Sequence, residues 1–157
     1  MIRSRGGIPP RLLNAPIALL VGRLGVPLPG LRMLRVHGRR TGRLHSVPVL
    51  VLRAGGRRYL VAPRGRTDWA RNLEAAGWGE LIRGRHVERL AAAPVTGDER
   101  ERAIAAYLRR HGRLTHRLFG VGRRPDAATI AAIAPRHPVF RLTPHLPGGR
   151  GGAERAG

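Results

Sequence analysis

Residues 31–62, LRMLRVHGRRTGRLHSVPVLVLRAGGRRYLVA, decide the fold. Three runs rich in valine and leucine, 31–37, 46–53 and 58–62, are separated by GRRTGR and by a glycine pair. Such runs, bounded by glycine-containing turns, predict three consecutive strands joined as hairpins. The middle run is apolar at nearly every position, which predicts a strand buried on both faces. Pro48 within it cannot donate a main-chain hydrogen bond, so we expect an edge, a bulge or a strand start there.

The rest of the chain continues with short helices and hairpins. TDWARNLEAAG predicts a helix with Thr67 as its N-cap and Gly77 at its end. GELIRGRHVERLAAAPV predicts two strands joined at a glycine-arginine pair. Asp98 with Glu101 resembles a capping box that opens a helix, and Asp126 is the expected cap of a shorter one. PVFRLTP predicts the last strand.

Six strands connected mainly by hairpins indicate a largely antiparallel sheet. Strands of this kind close most simply into a small barrel with helices packed outside it. We therefore predict an α+β fold that is mainly antiparallel β, with about six barrel strands and peripheral helices.

Three segments are predicted along the 157 residues. Residues 1–30 form an N-terminal helical segment, with Asn14 as N-cap and apolar residues at helical spacing as far as Leu24. Residues 31–146 form the barrel, which is also the expected ligand-binding domain. Residues 147–157 are glycine-rich and are expected to be disordered.

The apolar stretch Asn14–Leu24 is too short to span a bilayer, and no signal peptide is recognised. It can pack on the body of the protein or lie on a membrane surface, and packing on the body is the favoured interpretation. We therefore expect a cytoplasmic protein, with peripheral membrane contact through this helix as the alternative.

The charge balance is strongly basic. The sequence has 30 basic residues, all of them arginine, against 9 acidic ones, for a net charge of +21. One interpretation is a mutational bias towards arginine on a solvated surface. The other is an anionic partner such as nucleic acid, acidic lipid or a phosphorylated cofactor. Nucleic acid is disfavoured because aromatic residues make up only 4%, and Trp69 and Trp78 are expected in or beside a helix instead of on a basic strand face.

The sequence offers little for metal or nucleophilic chemistry. It contains no cysteine, which excludes disulfides, thiolate metal sites and cysteine nucleophiles. The seven histidines do not form ligand pairs on one helix face, so no metal site is predicted. Ser4 and Ser46, the only serines, do not stand in a nucleophile elbow, and the phosphate-loop and dinucleotide glycine spacings are missing.

The GRRTGR turn is the strongest candidate binding site. Arg39, Arg40 and Arg43 supply guanidinium groups, and amides freed by Gly38 and Gly42 are expected to form a nest for an anion. Three further polar groups are expected on the same side of the protein: His45, Arg64 and Asn72.

These elements, taken in order, resemble the deazaflavin-dependent nitroreductase family. The resemblance rests on HGRRTG, a proline-containing strand, GGRRYLVA, the loop PRGR and the helix motif WARNL, with HPVFRLTP similar to the family's last strand. It is clear from about Leu34 to Gly77 and looser as far as Thr143. The resemblance implies a split β-barrel that binds coenzyme F-420, an 8-hydroxy-5-deazaflavin with a phosphate and a glutamate tail. FMN is the weaker alternative.

The resemblance also implies which residues hold the cofactor. The basic turn and the start of the next strand would hold the phosphate and the glutamate tail, and three further segments would line the remainder. The implied residues are Arg39, Arg40, Thr41 and His45 in and after the turn; Ser46, Val47, Pro48, Val49 and Leu50 along the strand; Val61, Ala62, Pro63 and Arg64 in the second segment; and Asp68, Trp69 and Asn72 in the third.

The implied activity is hydride transfer from C5 of the reduced deazaflavin to a small electron-poor acceptor, which is a quinone, an enone or a nitro compound. A proton would follow from water or a side chain, and His116 is a candidate donor. Members of the family often carry tyrosines on the substrate side, whereas this chain has only Tyr59 and Tyr107. A non-catalytic deazaflavin-binding carrier is therefore the alternative. The resemblance also implies a homodimer.

Overall fold

The three strands predicted from residues 31–62 form consecutive antiparallel hairpins in the computed structural model, which describes residues 29–145. Gly55 and Gly56 both adopt positive φ at the second hairpin, as a tight turn requires. The elements in chain order are β1 (Leu31–His37), β2 (Leu44–Ala54), β3 (Arg57–Val61), α1 (Asp68–Ala76), β4 (Trp78–Arg83), β5 (His86–Pro94), α2 (Gly97–Thr115), α3 (Ala127–Ile133), a 3-10 turn (Ala134–Arg136) and β6 (Val139–Pro144).

The six strands close into a barrel with the order β1-β2-β3-β6-β5-β4, and β4 pairs with β1. All pairs are antiparallel, and β3 pairs with β6 across 80 residues of sequence, for example Leu60 with Phe140. The predicted α+β class, the barrel of six strands and the peripheral helices are confirmed.

Two apolar cores lie on the two faces of the barrel wall. Inside, side chains from all six strands meet, including Leu34, Leu60 and Phe140, and α1 covers this core with Leu73. Outside, β2, β3 and β6 pack against α2 and α3 in a second core that contains Ile104. Because successive strand residues point to opposite faces, β2 contributes to both cores, so the prediction that it is buried on both faces is confirmed.

The barrel is split where β2 and β3 diverge. The two strands pair only from Val51 to Ala54 on β2. After Leu60, β3 stays paired with β6 alone among the described residues, and Ala62 donates from its main-chain nitrogen to Pro138 O at 2.9 Å just before β6 begins. Within residues 29–145, the part of β2 before Val51 therefore pairs with β1 alone. Pro48 lies in this one-sided part, which confirms the expectation of an edge.

Helix starts were predicted less well than strands. The capping box of Asp98 and Glu101 is wrong, because α2 begins at Gly97 with Thr96 as N-cap and both acids lie inside the helix. Asp126 caps α3 as predicted, accepting from the Thr129 nitrogen at 2.8 Å. Thr67 occupies the N-cap position of α1, but its side chain makes no capping hydrogen bond.

The terminal segments lie outside the described residues. The predicted helix within residues 1–30 and the predicted disordered tail 147–157 are therefore not described, and the division at residues 30 and 146 stays a prediction. No helix between residues 29 and 145 has the length and apolar character needed to cross a bilayer.

Candidate functional site at the GRRTGR turn

Arg39 joins the GRRTGR turn to the first turns of α1. Its main-chain nitrogen and its Nη1 both donate to Asn72 Oδ1, at 3.1 and 2.8 Å. Its Nη2 lies 3.3 Å from Asp68 Oδ1. Asn72 is 5% exposed, so its amide is a fixed part of the structure. The fold thus brings together three predicted site residues from two separate motifs.

The two glycine amides of the turn form hydrogen bonds within the turn. Gly38 donates to Arg43 O at 2.7 Å, and Gly42 donates to Gly38 O at 2.9 Å. The Arg43 nitrogen donates to the hydroxyl of Thr41 at 3.3 Å. The expected nest of free glycine amides is therefore wrong, because these donors close the turn onto itself. The glycine amides are therefore not available to an anion, and the guanidinium groups of the turn are the main candidates to hold one.

His45 packs over the turn. A Cβ atom built on Gly38 would lie 2.9 Å from His45 Nε2, so glycine leaves the room that this imidazole occupies. His37, at the end of β1, has its Nδ1 3.0 Å from Gly42 O. The two histidines thus flank the turn from the two strands that it connects.

Three arginines at this end of the barrel are exposed and carry no ion pair. Arg40 and Arg43 lie in the turn, and Arg64 lies four residues before Asp68, in the loop that leads into α1. None of the three lies within salt-bridge distance of a carboxylate in residues 29–145, whereas nearby Arg66 pairs with Glu74 at 3.1 Å. Asp68 is the only acid between residues 29 and 145 that contacts the turn, and it already faces Arg39. The surface formed by Arg40, Arg43 and Arg64 is therefore positively charged, and no carboxylate of residues 29–145 neutralises it.

Thr67 supplies a buried hydroxyl in the same loop. Its Oγ1 is inaccessible to solvent and has no hydrogen-bond partner within residues 29–145. A buried hydroxyl without a partner costs about 1–3 kcal/mol. The loop that carries Arg64 therefore holds a polar group whose hydrogen bonds are unfilled.

Most side chains that were predicted to contact the cofactor along β2 are buried in the two cores. The side chains of Val47 and Val49 fill the inner core, and those of Leu50 and Val61 fill the outer one. Ala62 and Pro63 are buried as well, while Ser46 is half-buried. Pro48 is buried too, so Ser46 has the only partly exposed side chain from Ser46 to Leu50, and a ligand beside this stretch would otherwise meet the edge of the strand. Trp69 packs on Phe140 with ring centroids 6.3 Å apart, which places it in the wall.

His137 was missed by the sequence analysis. It is 6% exposed, and its Nδ1 lies 3.0 Å from Ala62 O. Burial lowers the pKa of His137, an effect that the hydrogen bond to Ala62 opposes and the nearby Arg136 reinforces. The neutral ring donates to the carbonyl and fixes the segment in which β3 leaves β2. No local pattern marks it, because its partner Ala62 lies 75 residues away in the sequence.

The other candidate proton donors lie away from the turn. Tyr59 is buried and donates to Glu99 Oε1 at 2.9 Å. Tyr107 belongs to α2 and is buried in the outer core, and this burial raises its pKa. His116 has its Nδ1 2.9 Å from Val121 O in its own loop. No contact in residues 29–145 links any of these three to the GRRTGR turn.

Trp78 was placed wrongly by the sequence analysis. It is the first residue of β4 and lies on a strand face, with the guanidinium of Arg89 5.2 Å from its ring centroid. His145 stacks on it at 5.6 Å and His37 approaches it at 5.5 Å. Because these neighbours cover its ring, Trp78 is not a free stacking platform of the kind that nucleic-acid bases need. Among residues 29–145, no three histidine or acidic side chains converge as metal ligands.

Comparisons with known proteins bear on the family and the fold of this chain. The model of a family described as F420H(2)-dependent quinone reductase matches residues 11–124. No curated protein matches the chain significantly. Among solved structures, an F420-H2 dependent reductase is 18% identical, with 73% of this chain and 94% of that chain covered and a TM-score of 0.52.

Two further structures show the same fold at low identity. A conserved hypothetical protein from Mycobacterium tuberculosis is 13% identical, covering 85% of this chain and 81% of its own, with a TM-score of 0.51. A putative pyridoxamine 5'-phosphate oxidase from Listeria innocua is 10% identical, covering 83% and 90%, with a TM-score of 0.50. The family match covers well over half of the sequence, and the resemblance to deazaflavin-dependent reductases is confirmed: this chain belongs to the F420H(2)-dependent quinone reductase family.

Proposed function

We propose that this protein is a coenzyme F-420-dependent reductase that passes a hydride from the reduced deazaflavin to a small electron-poor acceptor. Family membership supports the cofactor. The observation that carries the proposal is the contact of Arg39 with Asn72 and Asp68. It unites two family motifs into one surface and leaves Arg40, Arg43 and Arg64 without ion pairs in residues 29–145.

The residues present suit an anionic cofactor. Arg40, Arg43 and Arg64 would pair with its phosphate and the carboxylates of its glutamate tail, since guanidinium groups bind both with charge-assisted hydrogen bonds. Arg39 is already committed to α1 and would act mainly by holding the turn in place. The exposed side chains of Thr41 and His45 would add polar contacts at the same end of the barrel.

When bound, the deazaflavin supplies the chemistry: two electrons and one proton leave its C5 as a hydride. The protein's part is to position and shield. The one-sided edge of β2 from Ser46 to Leu50 would run beside the ring system, and His137 would hold Ala62 and Pro63 on the other side of the split. The acceptor takes up one further proton, and since both tyrosines are buried, water is the proposed source. FMN stays the weaker alternative cofactor.

A non-catalytic deazaflavin carrier is the second candidate function. It is favoured by one observation: Tyr59 and Tyr107 are both buried in the outer core, so neither offers a proton at the turn. A carrier would bind the cofactor through the same arginines without presenting it to an acceptor.

One experiment separates the two candidates. F-420 is titrated into the full chain and its fluorescence followed, and reduced F-420 is then mixed with menadione, with cyclohexenone and with a nitroaromatic. Micromolar binding with oxidation by at least one acceptor is the result expected of a reductase, and the acceptor oxidised fastest assigns the class. Binding without oxidation supports the carrier. If F-420 does not bind at micromolar concentration, both candidates are excluded.

We also propose a homodimer and a cytoplasmic location, with the N-terminal segment as a peripheral membrane contact in the alternative. Sedimentation equilibrium measures the mass in solution. Flotation with vesicles of acidic and of neutral lipid tests the membrane contact, and a protein that stays with the soluble fraction in both would exclude it.

A further inference from the structure

The end of the barrel opposite the GRRTGR turn is lined by arginines. The strands β4, β1, β2 and β3 lie side by side in the closed barrel. Each of them carries an arginine two positions from an apolar residue that faces the inner core. Residues two apart on a strand point to the same face, so these arginines continue the inward rows towards the open end. They are Arg32, Arg53, Arg58 and Arg83, two positions from Leu34, Val51, Leu60 and Leu81.

These arginines line one open cleft of about 280 Å³. Val51 and Leu81 belong to its wall, and Glu88 is its only carboxylate within residues 29–145. Gly30 approaches so closely that a Cβ there would lie 2.8 Å from Val51 O. We call this feature the arginine cleft and define it by Arg32, Arg53, Arg58 and Arg83.

The single carboxylate of the arginine cleft is already neutralised. Arg58 donates to both oxygens of Glu88, at 2.9 and 2.7 Å, and this pairing holds the pKa of Glu88 below its usual range. Arg32, Arg53 and Arg83 have no carboxylate within salt-bridge distance in the described part of the chain. Arg32 instead donates to its neighbour's carbonyl, Leu31 O, at 2.7 Å.

The positive charges of the unpaired arginines repel one another. The pKa of Arg32 is lowered by burial first, and then by the positive charges of Arg83 and Arg53. Like charges held this close raise the free energy of the empty cleft, and a multivalent anion would remove that repulsion. Arg110, which reaches the same cleft from α2, adds a further positive charge.

We propose that the arginine cleft binds a small anion with two or more phosphate or carboxylate charges, at a site separate from the GRRTGR turn. Guanidinium groups bind such oxyanions with paired hydrogen bonds. The volume lies at the lower limit of small-molecule sites, which span about 300–1,000 Å³. The ligand is therefore compact, and the proposal does not depend on the function proposed for the turn.

The test is a nuclear magnetic resonance titration of the nitrogen-15-labelled full chain at low ionic strength. Pyrophosphate is one probe and citrate the other, so that the two arms distinguish phosphate from carboxylate chemistry. We expect saturable shifts of the main-chain amides in 30–32, 51–53 and 81–83. Arg53→Gln with Arg83→Gln should weaken binding there at least about tenfold, since charge-assisted hydrogen bonds are strong.

A matched control variant also removes two positive charges, but from outside the arginine cleft. Arg117→Gln with Arg124→Gln replaces two exposed arginines that do not line the cleft and should leave the affinity nearly unchanged. Arg53 and Arg83 are exposed and unpaired in residues 29–145, so their variant should keep the amide spectrum of the folded protein. Equal weakening by both double variants would overturn the proposal. So would shifts confined to 38–43 and 62–67, or no saturable binding of either probe.

Discussion

One carboxamide oxygen, Asn72 Oδ1, accepts hydrogen bonds from both the main-chain nitrogen and the guanidinium of Arg39, at 3.1 and 2.8 Å. The two residues come from different elements, the β1–β2 turn and α1. Because Asn72 is nearly fully buried, the position of the turn on the barrel depends on this amide.

Replacing Asn72 should therefore destabilise the fold as well as the site. Asn72→Ala leaves a main-chain donor and a guanidinium of Arg39 without their acceptor, which we expect to lower the free energy of unfolding by about 1–3 kcal/mol. Urea denaturation measures this loss. Asn72→Asp is the matched control, because it keeps an oxygen acceptor towards Arg39. Equal losses in the two variants would contradict the assignment.

The turn arginines should carry much of the cofactor affinity. Arg39→Ala with Arg40→Ala is expected to weaken F-420 binding by about 2–4 kcal/mol, because charge-assisted contacts are strong and not fully additive. Fluorescence titration gives the dissociation constant. Arg40→Ala alone should reduce affinity without reducing stability, since Arg40 makes no ion pair within residues 29–145, whereas Arg39→Ala should reduce both.

The control for this pair is Arg113→Ala with Arg117→Ala, which removes two exposed arginines at the end of α2. If this control weakens F-420 binding as much as the turn variant does, the effect is one of net charge and the turn is not the binding site. An unchanged dissociation constant in the turn variant would refute its assignment directly.

Gly65 should tolerate substitution worse than a left-handed glycine that has open space around it. Its φ is +84°, and an added Cβ would lie 2.9 Å from Arg136 O. The conformation alone costs about 1–2 kcal/mol for a residue with a side chain, and the contact adds to it. Gly84→Ala is the control, since Gly84 has φ +57° and open space around it. Thermal unfolding should show the larger loss for Gly65→Ala, and equal losses would show that the contact is relieved at no cost.

Stability should fall as the solution is acidified through the ordinary histidine range. Burial lowers the pKa of His111, helped by the charge of Arg110, and burial also lowers the pKa of His137. The folded state therefore binds protons less readily than the unfolded chain, whose histidines titrate near 6.5. The stability is present above pH 6.5 and is lost below it, by at most about 1.4 kcal/mol per pH unit for each histidine.

Thermal unfolding between pH 8 and pH 5 measures this dependence. His111→Gln should flatten the slope, because it removes a buried group that cannot ionise cheaply. His86→Gln replaces an exposed histidine and should leave the slope as it is. A slope that is identical in all three proteins would contradict the assignment to His111.

The local pattern of the sequence predicts most elements because each has its own period and its own turn residues. β1 to β3, α1, the β4–β5 hairpin and β6 all form where hydrophobic runs and glycines indicate them. The strand order, in contrast, cannot be predicted from local sequence patterns. Nothing near Leu60 indicates that its partner is Phe140, so the closure of the barrel could be inferred only as the simplest solution.

The sequence brought the residues of the candidate site together as a prediction, but it did not indicate the hydrogen bonds among them. The family motifs include Arg39, Asp68 and Asn72. Their spacing does not show that the side-chain oxygen of Asn72 accepts hydrogen bonds from Arg39. Nor does it show that Gly38 and Gly42 use their own amides to close the turn. His137 was missed because a lone histidine before a proline has no local pattern, and its partner Ala62 is 75 residues away.

The split between β2 and β3 also bears on solubility. A strand edge left without a neighbour is a template for pairing with another chain, and natural sheets protect such edges with proline, charge or short length. Here Pro48 removes one donor from the middle of the stretch of β2 that pairs, within residues 29–145, with β1 alone, and the exposed Arg40 and Arg43 lie in the turn just before this strand. Proline and charge together therefore protect this unpaired edge against the addition of a foreign strand.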